Sequence, residues 1–591
     1  MKKWNKLLWL LLLIWSCNSP LENKGNPSEK TKLLLIAQYQ DFKSEVNLLD
    51  ELIRKESNQE SIQEQFRKAR LGYKKMESLL SFYYPEYSKK LNGAAIDKND
   101  YHDSNRKEVP ATGFQVVEEL LFTDEVEWEE LIIQSGILHG FTQGLEKEVE
   151  SIEFSDSNIW EAQRLQLLRI LSLGITGFDS PISFHSIPEA KAGIEGIRDY
   201  LAFYPLEKND LVFFENAINY LDQNSSSFNE FDRAEFIKDF AIPISKRIFT
   251  MQKRLAIPFA GFLTAMNSES EVFFLPANFN LDFFAPSYNR STTQHQIDLG
   301  KTLFFDPILS GNGEVSCASC HQPQNAYADH HQLAIDGEGS KARNTPTLLN
   351  SAFQNSQFLD GRVTYLEDQA QVVIGNQDEM HGSFKDAVLR IAEDQNYSSQ
   401  FEAVFGAENS VTDLNLLKSI GSYVRSLSAP ESKFDSYLVG KTELESEELR
   451  GFNLFMGKGK CATCHFFPLF NGSVPPLFME TESEVLGVPK SPLWENAIID
   501  EDLGEFEINQ AELKRFAFKT PTVRNAEITF PYMHNGVYNS LEEVIKFYNL
   551  GGGAGIGIEL DNQTLPPDSL QLNKKEIEDL ISFIKTLTDL K

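Results

Sequence analysis

The chain has 591 residues, 41% of them hydrophobic, with 55 basic side chains against 86 acidic ones and a formal charge of −31. That length buries several cores and corresponds to roughly three or four domains. The acid excess excludes nucleic acid and anionic membrane surfaces as favoured partners and steers toward small basic proteins.

Residues 1–17 form the first element. Lys2, Lys3 and Lys6 precede an apolar run from Leu7 to Trp15 that is too short to span a bilayer as a mature helix, so the segment reads as a secretion signal. Ile14-Trp15-Ser16-Cys17 resembles a bacterial lipobox, which implies membrane anchoring through a lipidated Cys17 in the periplasm or cell envelope; an ordinary signal peptide with an incidental Cys is the alternative. Residues 28–272 then predict a helical bundle, with Leu211, Phe214, Ile218 and Leu221 sharing one face at spacings of three and four. Within it, Gly113-Phe114-Gln115-Val116-Val117-Glu118 weakly resembles the Gly-x-His-x-x-Glu element of imelysin-like helical domains. Gln115 occupies the His position, so Glu118 reads as a helix residue rather than a ligand. His102, His139 and His185 read as lone structural or surface histidines. A Phe-, Pro- and Asn-rich stretch, 273–290, breaks the periodicity and reads as a linker.

Two lobes follow, 291–443 and 444–591, and each contains Cys-x-x-Cys-His: Cys317-Ala318-Ser319-Cys320-His321 and Cys461-Ala462-Thr463-Cys464-His465. This is the attachment signature of a covalent c-type haem, in which two thiols bond the porphyrin and the adjacent imidazole reaches the iron. A zinc knuckle does not require His directly after the second Cys, and redox pairs rarely recur in this form. The motifs absorb four of the five cysteines, so no disulfide framework remains. The expected fold is mainly α: an N-terminal helical bundle followed by two cytochrome c-like haem lobes. The last helix is announced by Asn573-Lys574-Lys575-Glu576, a cap ahead of Ile577, Leu580, Ile581 and Ile584.

Leu303-Phe304-Phe305-Asp306-Pro307, Arg343-Asn344-Thr345-Pro346, Asp360-Gly361-Arg362 and Pro531-Tyr532-Met533-His534-Asn535-Gly536 occur in this order, and over 296–591 the chain resembles the bacterial di-haem cytochrome c peroxidases. The resemblance implies two covalent haems, with His321 and His465 as proximal iron ligands. The first lobe would react with hydrogen peroxide, and the second would relay electrons from a small donor such as a cytochrome c or cupredoxin. Glu379, supported by Gln369, would be the catalytic carboxyl that moves a proton between the peroxide oxygens. One Ca2+ would sit between the haems on Asn344 and the carbonyls of Thr529 and Pro531. His534 matches an inter-haem histidine, and Arg524 a partner for a haem propionate. A homodimer is a further expectation.

Three positions depart from the usual pattern. Leu359 stands where an inter-haem Trp is common. Tyr548 stands where the sixth ligand of the second haem is usually Met, as in the MauG-like branch, with Met533 or Met479 as alternative ligands. Asp336 stands where a loop His often caps the first haem, and His330 and His331 are at the wrong spacing. Two other functions stay open: a MauG-type oxidase modifying a partner through a high-valent di-haem state, and a non-catalytic electron-transfer lipoprotein.

Overall fold

Helix starts are encoded locally at both ends of the chain. Asn26 Oδ1 accepts from Glu29 N at 2.9 Å to cap Pro27–Arg54, and Asn573 Oδ1 accepts from Glu576 N at 3.1 Å to cap Lys574–Lys585. In both, the Glu returns the bond to the cap backbone, closing a capping box. The computed structural model describes residues 26–99, 108–334, 343–406 and 410–589; the leader with Cys17, His102 and Asp336 lie outside them.

Helices Pro27–Arg54, Gln59–Tyr83, Phe114–Leu121 and Trp128–Ser151 bury Leu35, Phe42, Phe66, Tyr73, Phe114 and Leu138 in one core. Gly113 enters the third of these helices at φ 99°, where an added Cβ would lie 2.5 Å from the Lys90 carbonyl, so only glycine fits. Glu118, in that helix, is fully buried. Its carboxylate accepts from Ser183 N at 2.6 Å and Ser180 Oγ at 3.0 Å, and burial raises it. It belongs to a buried ionic layer with Arg70–Glu189 (2.5 Å), Lys74–Asp179 (2.5 Å) and Arg169–Glu77 (2.9 Å), which ties the helices together. Gln115 Nε2 donates to the Asn92 carbonyl. His139 pairs with Gln143 at a helix surface, and His185 stands just before Ser186–Leu201 with Nδ1 3.7 Å from Glu189.

Helices Asp156–Arg169, Ser186–Leu201, Val212–Gln223 and Ile242–Arg254 bury Phe214, Ile218 and Leu221 as the periodicity predicts. Their apolar faces do not close on one another alone. Trp160, Ile194 and Phe236 share a continuous cluster with Phe434, Phe452, Phe467, Phe470 and Phe583 of the C-terminal lobe. The stretch 273–290 connects the halves, and its Phe273, Phe274, Phe279 and Phe284 are buried inside this joint cluster, because aromatic side chains gain most by leaving water. Polar bonds fix the seam. A π turn, Ile170–Gly174, lets Ser172 Oγ donate to the Phe467 carbonyl at 2.8 Å, and Asn453 Oδ1 accepts from Arg233 N and Ala234 N at 2.9 and 3.1 Å.

Each lobe is organised by a helix crossing just ahead of its Cys-x-x-Cys-His. Gln294–Phe305 packs on Asp413–Ser426, and Ser446–Met456 packs on Lys574–Lys585. A Cβ at Gly300 would lie 1.9 Å from the Ser419 carbonyl, and one at Gly451 1.9 Å from that of Asp579. The two lobes therefore repeat one backbone contact that demands glycine. The second lobe adds a short antiparallel pair, Ser483–Val485 with Ala517–Lys519, in the register Glu484 opposite Phe518. Among the described residues no helix is long and apolar enough to cross a membrane.

Candidate active site: two Cys-x-x-Cys-His centres

The first motif is a single helical turn, Cys317–Cys320, closed by Ser316 and Ser319. It delivers His321 to a position where Nδ1 lies 3.0 Å from the Tyr327 carbonyl. A carbonyl can only accept, so Nδ1 carries the proton and Nε2 keeps its lone pair for a metal. The second motif reproduces this arrangement from a different backbone. Lys460 turns left-handed at φ 54°, Cys461–Thr463 form a short turn, and His465 Nδ1 donates to the Pro521 carbonyl at 3.0 Å. Burial holds both imidazoles neutral, His465 down to about 4.

These residues fit a covalent haem better than zinc or a redox pair. Burial pushes the Cys317 and Cys461 thiols up to about 12, against the lowered value that a reactive thiol requires, and no disulfide joins the motif cysteines. Among the described residues no group of three or more His, Cys, Asp and Glu is placed to share a metal ion. All six motif ligands are only half-covered although their neighbours are apolar core, the surface a porphyrin would bury.

The helix Leu366–Gly375 and the turn after it carry the expected distal groups of the first lobe. Glu367 is fully buried and paired with Arg425 at 2.8 Å, and Asn289 Nδ2 donates to the same carboxylate, so this helix is clamped from two sides. Gln369 follows half-buried on it. Glu379 lies in the next turn, which is tied to the approach to the first motif by Gly311 N donating to the Met380 carbonyl at 2.7 Å. Its carboxyl is reachable by solvent, yet surrounding protein raises it, with Arg362 as the opposing influence. Arg362 is held on both oxygens of Asp360 (2.9 and 2.8 Å), and Asp360 also receives Arg343 at 2.6 Å. Arg343 reaches on to Asp502 of the second lobe at 2.6 Å. A chain of alternating charge thus runs from Asp502 through Arg343 and Asp360 to Arg362, whose charge acts on Glu379.

Tyr548 lies on Leu541–Asn549, capped by the Ser540–Glu543 box. Burial raises its phenol, followed by the influence of Cys464, Cys461 and Glu484, so the ring stands beside the second motif. Met479 is 67% exposed, and Met533 packs against the small core around Tyr538 and Phe547.

Other expected positions resolve as follows. Arg524 is fully buried, and both its Nη atoms donate to Asp435 at 2.8 Å. His534 stacks on Phe518 at 3.8 Å and bonds Asp500 at 3.2 Å. Asp500 stays well below the usual carboxylate range despite burial, because His534 and Asn535 hydrogen-bond it. Asn344 Nδ2 donates to the His331 carbonyl at 2.9 Å, Thr529 Oγ1 to that of Asn525 at 3.2 Å, and Pro531 follows a cis peptide bond. His330 stacks on Phe530 and contacts the Ile528 carbonyl at 3.0 Å, which ties it to the Thr529–Pro531 segment. The Leu359 carbonyl accepts from Lys519 N at 2.7 Å. Two groups escaped the sequence reading. Arg362 was visible only as part of a motif, and Glu484, raised by burial and by Glu482 beside Cys464, has no local signature.

Comparison with known proteins identifies a family. Residues 294–443 match the family described as di-haem cytochrome c peroxidase. The chain is 34% identical over 293 residues to the cytochrome c551 peroxidase of Nitrosomonas europaea, covering 49% of this chain and 79% of that one. It is 33% identical over 307 residues to the methylamine utilization protein MauG of Methylophilus methylotrophus, covering 51% and 85%. The crystal structure of a MauG-like protein associated with microbial copper homeostasis aligns with a TM-score of 0.45 and 26% identity, over 52% of this chain and 92% of that one. With both haem-attachment motifs in place and relatives matched over most of their length, the chain belongs to the di-haem cytochrome c peroxidase family and is a di-haem oxidoreductase with two c-type haems.

Proposed function

We propose that this enzyme reduces hydrogen peroxide to water at the first centre, with electrons received one at a time at the second from a small donor such as a cytochrome c or cupredoxin. The observation that carries the reading is the place of Glu379, a solvent-reachable carboxyl in the turn that Gly311 N ties to the first motif's lead-in through the Met380 carbonyl at 2.7 Å. The haem bound through Cys317, Cys320 and His321 supplies the iron at which peroxide is reduced. Glu379 accepts a proton from the near oxygen and returns it to the far one, which then leaves as water. Gln369 orients the peroxide, and the Tyr327 and Pro521 carbonyls hold the protons of the two imidazoles on Nδ1, so that each Nε2 would be available to bind a haem iron. Two electrons and two protons convert each peroxide to two waters.

The same reading puts the protein in the periplasm or cell envelope, anchored through Cys17, with one Ca2+ at Asn344, Thr529 and Pro531. Its test is steady-state peroxide consumption by the di-haem protein with a reduced cytochrome or cupredoxin: rapid turnover is expected, and inertness would leave an electron carrier. A second reading, a MauG-type oxidase acting on a partner, is favoured by Tyr548 beside Cys461 and Cys464, because an anionic phenolate ligand stabilises the oxidised centre. Slow donor turnover with oxidation of a protein partner would select it.

A further inference from the structure

A run of aromatic rings leads from Tyr548, on the helix Leu541–Asn549, to the surface. Tyr548 stands beside Cys461 and Cys464, and its ring centre is 5.8 Å from that of Phe547. Phe547 is fully buried and lies 5.6 Å from Tyr538, which is itself buried and stacked on Trp494 at 5.3 Å with planes 7° apart. Trp494 is half-exposed, and the Lys546 ammonium sits 3.9 Å from its ring centre. Around it the surface is apolar in the middle and acidic outside. Leu493 and Ile498 are 50% and 71% exposed; Glu495 is exposed next in sequence, and Glu542 is exposed one turn before Lys546 on the same helix. Core packing alone requires neither a flat Trp–Tyr stack that reaches solvent nor two large aliphatic side chains left in water beside it.

We propose that Trp494, Tyr538 and Phe547 carry electrons from a docked redox protein to the second haem, and that Leu493, Trp494 and Ile498 are its docking patch. The inference rests on the reading of the second centre as the one that receives electrons. The partner is a small basic redox protein whose cofactor edge is exposed within an apolar patch, since a chain of charge −31 with glutamates around the tryptophan favours a cationic rim. Each transfer oxidises the donor by one electron and reduces the second haem by one. No ring is consumed and no proton is released, because among the described residues the buried Tyr538 hydroxyl has no hydrogen-bond partner to take its proton.

The test uses the di-haem protein and reduced mitochondrial cytochrome c as the basic probe, with stopped-flow reduction of the second haem and calorimetric binding as readouts. Trp494→Leu and Tyr538→Leu should each slow reduction at saturating cytochrome by tenfold or more, leaving the haem spectra, the second haem's potential and its reduction by dithionite unchanged. Tyr538→Phe, which keeps the ring, should transfer at the wild-type rate. Ile498→Glu should weaken binding at least tenfold while transfer within the complex stays normal. Wild-type rates in both Leu variants would overturn the relay while the receiving role of the second haem stands. If cytochrome reduces only the first haem of the unmodified enzyme, that role falls and the relay with it.

Discussion

At the scale of single residues, the chemistry depends on environment more than on residue type. Glu379 has 85 acidic companions in this chain of 86 Asp and Glu, and what separates it is its place: a solvent-reachable turn bonded to the first motif's approach, where surrounding protein raises the carboxyl and the Arg362 charge opposes that. Glu379→Gln should retain both haems and lower peroxide turnover by roughly 10²- to 10⁴-fold, the usual worth of a positioned proton-transfer group; undiminished turnover would remove it from the mechanism. The pH profile follows with a definite sign. Burial raises the carboxyl and Arg362 lowers it, so Arg362→Gln should raise it further, reduce the ionised fraction at a given pH and move the acid limb of kcat/KM to higher pH. An unmoved limb would assign that titration to another group. At the second centre, Tyr548→Phe removes a potential anionic ligand. The second haem's potential should rise by on the order of 0.1 V with altered low-spin signals, within the ~0.8 V span that axial ligands command. Unchanged spectra would return ligation to Met533.

At the scale of elements, the two lobes are related by how they bring helices together. Gly300 and Gly451 each press against a carbonyl of a later helix, with Tyr423 and Phe583 packed one turn beyond the contact. Gly300→Ala or Gly451→Ala must push these helices apart, at a cost of about 1–3 kcal/mol as in other overpacked cores. The melting temperature of the affected protein should fall by several degrees, and a melt within one degree of wild type would show that the crossing yields easily. Much of this level was legible in the sequence. The capping boxes, the face formed by Phe214, Ile218 and Leu221, and both attachment motifs depend on neighbours within a few positions. The Pro521 carbonyl that orients His465 lies 56 residues away, and Asp435 claims Arg524 from 89 residues away, so neither has a periodic or local trace. The burial of the phenylalanines in 273–290 leaves no local trace for a related reason. Their spacing follows no helix or strand, since they fill gaps between elements instead of forming one face.

At the scale of the whole molecule, the N-terminal half is a structural partner of the second lobe. One apolar cluster runs from Ile159 and Trp160 through Phe236 and Phe274 to Phe452, Phe467, Phe470 and Phe583, and it passes directly under the second motif, with Ala462 buried in it and Cys461 packed against it. Removing residues 26–257 would expose much of that cluster, since Ser172, Arg233 and Ala234 would no longer meet Phe467 and Asn453. Each large side chain returned to water costs about 1.5–3 kcal/mol, so the loss of even several exceeds the margin of a typical domain. The truncated protein should therefore aggregate or retain only the first haem, read as a haem-to-protein ratio near one by pyridine haemochrome and intact mass. The first lobe has its own core around Leu303, Phe304, Ile391 and Phe401, so its haem should survive the truncation. A soluble truncated protein with two haems and an unchanged melting profile would show that the shared cluster is dispensable and the N-terminal half an independent domain.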